Sequence, residues 1–186
     1  MNVQWISDLK KLRLTRLQWK SVLKWFLYAA GLMATLVIQS VILSRLPVFG
    51  ARVNLVPYYV GCVCVIEGPD SGSVFALIAS LAWALSGGDY GFVAILILTC
   101  GGMSIGLLMR DLLHRRLLTC VVCCFALCLC HDTAVFLLRL YLRTVTARQY
   151  FRILIPGTIL GALSCPVFYY LFRAIHRIGG NSVWNE

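Results

Sequence analysis

Nineteen consecutive residues, Trp25 to Leu43, carry no charge. A helix needs about 20 mostly apolar residues to cross a bilayer core, so this run predicts a membrane span. Further apolar runs follow at Leu55–Ile66, Ser73–Leu85, Phe92–Met109, Leu117–Leu138 and Ile153–Phe172. In lipid every backbone N–H and C=O needs an internal partner, and a helix supplies one within its own segment. Only 13% of the residues are charged and the mean hydropathy is +0.84. A soluble domain has about 25% charged residues, so this surface is too apolar for water. The expectation is an all-α integral membrane protein with six transmembrane helices, the second and third short. Residues 1–24 form a basic N-terminal segment, cytoplasmic or interfacial; residues 25–176 form the membrane domain; residues 177–186 form a short cytoplasmic tail.

The two short runs contain 12 and 13 residues, reaching about 18–20 Å as helices against a core of about 30 Å. A re-entrant hairpin, two short spans in a thinned bilayer, and spans with polar ends buried against protein compete. Two short spans give the most regular alternation of connections. Around their turn Gly68, Gly72, Ala76, Ser80 and Ala84 recur every fourth residue. On a helix these residues lie along one side. Such a groove admits a second helix closely where lipid removes the hydrophobic drive to associate. Gly102 and Gly106 repeat the spacing further on. All seven residues are candidates for packing a partner helix. Glu67 and Asp70 are expected to hydrogen-bond the turn and cap the following helix.

With six spans, eleven Lys and Arg residues face the side of the termini and six face the other. The positive-inside rule then puts both termini in the cytoplasm. The basic segment Lys10–Lys24 interleaves with Trp5, Leu9, Leu12 and Trp19, which suits a membrane interface as well as a solvated tail. Arg139, Arg143, Arg148 and Arg152 fall on the far side, as a collar for lipid phosphates or a docking surface for an extracytoplasmic partner. Positive charge at helix ends suits anionic lipid, and no nucleic-acid-binding motif is present.

The chain has nine cysteines, mostly inside apolar runs and without disulfide-framework spacing, so they read as small apolar residues. Cys120, Cys124, Cys128 and His131 share one helix face. Thiolate and imidazole can hold zinc, and His can hold haem. Spread over about 16 Å of one helix, these four cannot converge on one ion without ligands from another helix, so no metal site and no cofactor is expected. His131 and Asp132 are the intramembrane ionisable pair, and such groups are functional candidates by default. A structural pairing of Asp132 with Arg139, Arg45 or Arg52 is the leading reading. No nucleophile elbow, phosphate loop or acid–base set is present, so no catalytic residue is assigned and an enzyme is not expected.

The order of these features resembles the MreD family of bacterial rod-shape-determining membrane proteins. The resemblance runs from Gln39 to Arg177 and rests on Gln39, Pro57, the Gly68/Gly72 start of the ladder, Ser86-Gly87, Gly91, Gly102/Gly106 leading to Arg110, and Pro156 and Pro166 with Tyr169, Leu171 and Arg173. The chain has Tyr58 and Ala84 where that family often has acidic residues, and Ala76 and Ser80 where it often has glycine. The resemblance implies a non-enzymatic scaffold subunit of the cell-elongation machinery in the bacterial cell membrane. It would associate with an MreC-like protein and through it with MreB, RodA and a class B penicillin-binding protein. It also implies a fold similar to the S components of energy-coupling-factor vitamin transporters. A vitamin-binding S component is therefore the alternative, with Ala30-x-x-x-Ala34 similar to that group's coupling motif. A small membrane redox or metal protein is the third reading, resting on the Cys and His residues.

Overall fold

The structure is a computed structural model and describes residues 16–43, 53–87, 91–112, 116–142 and 147–178. Among them the chain is helical throughout: α1 Arg16–Val37 running into a π-helical turn at Ile38–Leu43, α2 Val56–Glu67, α3 Pro69–Leu85, α4 Gly91–Asp111, α5 Leu117–Tyr141 and α6 Ala147–Ile178. Four helical stretches are long and apolar enough to cross a membrane: Trp19–Val41, Gly91–Asp111, Leu117–Tyr141 and Pro156–Ile178. The chain is thus a multi-pass helical membrane protein by length and composition. The helices α2 and α3 are shorter and apolar. The division at residue 24 falls inside α1, which is continuous from Arg16; residues 1–15 lie outside the described residues.

The shortness of α2 has a packing explanation. Every residue from Val56 to Ile66 is buried, enclosed by α3, α4, α5 and α6. A helix that is apolar all round seeks burial on all sides, and this one has no amphipathic face to present to lipid. Protein rather than lipid surrounds it, so bilayer thickness does not set its length. Its ring-bearing neighbours form an edge-to-face set, with Tyr59 and Phe172 centroids 4.6 Å apart and Tyr28 and Phe172 5.4 Å apart. Tyr58 and Tyr59 satisfy their hydroxyls on the carbonyls of Thr158 and Tyr28, at 2.7 Å each.

Helix α2 stops and α3 starts within one residue. Gly68 has φ +87°, a conformation glycine adopts without a Cβ penalty. Its N–H donates to the Cys64 carbonyl and its own carbonyl accepts from Gly72 N–H. Pro69 then occupies the first position of α3, where a missing N–H costs nothing. No side chain caps this helix. The expected capping by Glu67 and Asp70 is therefore corrected: Asp70 is an exposed first-turn acid, and Glu67 turns elsewhere.

The start of α2 is capped from a distance. Gln39, in the π-helical turn, accepts from Leu55 N–H at 3.0 Å and Val56 N–H at 3.2 Å. Pro57 has no N–H to satisfy, so one amide serves both local donors. Gln39→Leu should destabilise the protein by about 1 kcal/mol, the usual value of a lost cap, and Gln39→Glu should keep most of that stability. Thermal unfolding in detergent of both variants checks this; a Gln39→Leu protein as stable as wild type would remove the cap from the account.

Candidate functional site

The small-residue ladder is filled by the chain itself. A Cβ on Gly106 would lie 2.5 Å from Pro69 Cα, one on Gly102 would lie 3.0 Å from Ala76 Cβ, and one on Gly91 would lie 2.6 Å from Ala84 Cβ. On the other side, a Cβ on Gly72 would come within 2.9 Å of Cys64 Cα. Gly68/Pro69, Ala76 and Ala84 thus mesh with Gly106, Gly102 and Gly91 as an antiparallel seam between α3 and α4; Gly68, Gly72, Ala76 and Ser80 are buried and Ala84 half-buried. The expectation that these residues form an open groove for a helix of another protein is corrected: the groove's occupant is α4. Absence of side chains permits this approach, and close backbone contact is what holds such a seam in lipid.

Two polar clusters sit at opposite ends of α2. At its C-terminal end the Glu67 carboxylate accepts from Lys24 Nζ at 2.7 Å, Tyr28 hydroxyl at 2.8 Å and His176 Nδ1 at 3.0 Å. The side chains of Lys24, Glu67 and His176 are 7%, 5% and 4% exposed. Burial this deep makes the ammonium–carboxylate pair interdependent, because either charge alone would be stranded. The cluster ties α1, α2 and α6 together. Its members are 39 to 109 residues from Glu67 in sequence, which is why spacing gave no hint of it.

At the other end Asp132 accepts from Asn54 Nδ2 at 3.0 Å and His131 Nδ1 at 3.0 Å, and Cys128 Sγ lies 3.5 Å from its second oxygen. The His131 ring lies against Trp83 at 5.1 Å. Its Nε2 is buried with no hydrogen-bond partner among the described residues. The pair singled out from sequence is therefore one connected group, joining α5 to Asn54, two residues before α2. Arg45, Arg52 and Arg143 lie outside the described residues, and so do the side chains of Arg148 and Arg152; Arg139 is in the last turn of α5.

Between these ends four sulfurs meet. Cys62 of α2, Cys120 and Cys124 of α5 and Cys165 of α6 are all buried, and their Sγ atoms lie within 4.8 Å of one another. Cys128 and His131 are not part of this group. Helices α2 and α6 deliver Cys62 and Cys165 to the sulfurs of α5, and the expectation of no metal-ligand set is corrected to that extent. Gly61 gives this meeting its room, since a Cβ there would come within 2.7 Å of Cys124 Sγ.

Comparison of the chain with protein-family models, with curated proteins and with solved structures returns no match.

Proposed function

We propose that the chain is a non-enzymatic membrane scaffold of the MreD type, holding an MreC-like protein and through it the cell-elongation machinery. The observation that supports this reading most is the position of the residues behind the resemblance. Gln39 caps α2, Gly68, Gly102 and Gly106 build the α3–α4 seam, and Gly72 brings α3 onto Cys64 of α2. They are junction residues of one bundle, which is what an ordered set of weak motifs specifies in a packing protein. In this reading all six helices cross the cell membrane, both termini are cytoplasmic, and α2 spans as an enclosed core helix. The partner's span meets the outer surface of the bundle, because the small-residue groove is taken.

Affinity purification of the tagged chain from native membranes tests the proposal. The expected result is co-purification of a single-span protein with an extracytoplasmic coiled coil. Recovery instead of transporter ATPases with a bound vitamin would overturn it in favour of an S component.

A further inference from the structure

We propose that Cys62, Cys120, Cys124 and Cys165 form a four-thiolate site for one soft divalent metal ion of the zinc class. The sulfur geometry carries the inference. Cys62 Sγ lies 3.5 Å from Cys120 Sγ, 3.6 Å from Cys165 Sγ and 3.7 Å from Cys124 Sγ, and Cys120 and Cys124 are 3.9 Å apart. Four thiolates at about 2.3 Å from a central ion stand about 3.8 Å from one another. These four of the six edges straddle that length, and all four sulfurs lie within 4.8 Å of one another. They also exceed by far the roughly 2.0 Å of an S–S bond, and all four cysteines are free.

The ligand set points to the kind of ion. Four sulfurs in a tetrahedron suit zinc or iron and exclude magnesium and calcium, which take oxygen ligands. With every ligand supplied by protein, no position stays open for substrate, so the site is structural. It would clamp α2, α5 and α6 around one point.

Thiols must ionise to bind, releasing their protons to water. The contacts given up are weak: Cys62 Sγ to the Cys165 carbonyl and Cys124 Sγ to the Tyr58 carbonyl, both 3.9 Å. The negative charge gained has local support. Cys120 lies in the first turn of α5, and its own N–H makes the turn's first helical bond, to Arg116. The N–H groups before it have no helical acceptor, and a helix N-terminus favours a thiolate.

The test uses the full chain, expressed with zinc in the medium and purified in detergent without oxygen or chelator. Mass spectrometry of the metal content should give about one zinc per chain in wild type and in Cys123→Ser, a change on the same helix outside the cluster. Cys62→Ser and Cys165→Ser should lose the ion. Exchange of wild type with Co2+ should produce the intense visible bands of tetrahedral thiolate cobalt, a readout independent of whether any variant folds. Stoichiometric iron that disappears in the same two variants also supports the site. Wild type without metal and without cobalt–thiolate bands overturns it, as do disulfides among the four cysteines in non-reducing peptide maps.

Discussion

Gly106→Val should separate α3 from α4. The first atom of the new side chain would stand 2.5 Å from Pro69 Cα and 2.7 Å from Pro69 N, and both are backbone atoms with no rotamer to change. Overpacking a core costs about 1–3 kcal/mol where side chains can shift; here the helices themselves must part, so a loss of at least about 3 kcal/mol is expected. Gly101→Ala provides the contrast. Its Cβ meets the end of the Leu127 side chain, which can rotate away, so a loss below about 1 kcal/mol is expected there. Thermal unfolding of both variants in detergent, read by size-exclusion chromatography, measures the difference. A Gly106→Val protein as stable as Gly101→Ala would show that the α3–α4 seam is looser than described.

Glu67→Ala should have an effect of the same order, from electrostatics rather than sterics. It removes the acceptor for Lys24, Tyr28 and His176 together and strands the Lys24 ammonium in a buried setting. Breaking one side of a buried pair costs about 3–5 kcal/mol. Glu67→Gln keeps an acceptor for Tyr28 and His176 but still faces Lys24 with a neutral amide, so it too should be strongly destabilised. The double variant Lys24→Met/Glu67→Gln should recover much of that loss, because no charge remains to strand and methionine fills the lysine stem's volume. Unfolding free energies of wild type, Lys24→Met, Glu67→Gln and the double variant close the cycle. Equal and additive losses from the two single changes would show that the charges act independently.

The apolar runs made the helices legible, and the six expected runs each fall within or along an observed helix. Lipid imposes that simplicity, since a backbone without water has few ways to satisfy itself. The four-residue spacing of the ladder was legible too, but not its occupant: a groove in sequence does not say which helix fills it. The full enclosure of α2 has a sequence counterpart in its lack of an amphipathic face. The clusters at Glu67, at Asp132 and among the four sulfurs were not legible. Each joins residues distant in the chain, and periodicity speaks only of neighbours within one helix. Gln39 stood out as polar within an apolar span, yet its role as a cap across 16 residues depends on a fold that spacing alone does not provide.

The enclosure of α2 also bears on how the chain is made. Helices α3 to α6, which surround it, are all translated after it. A nascent chain that has reached only α2 holds a segment of about 18 Å with both ends polar, poorly matched to a bilayer of about 30 Å. Helix α1 is already present to meet Glu67, Tyr59 and the start of α2, but the rest of the segment's environment comes only with the later helices, and α6 is the last of them. Biogenesis of this protein is therefore a waiting problem for its own centre: chains truncated before α6 should be degraded as misinserted, and helper proteins that shelter short helices during insertion should matter more here than for a bundle of full-length spans.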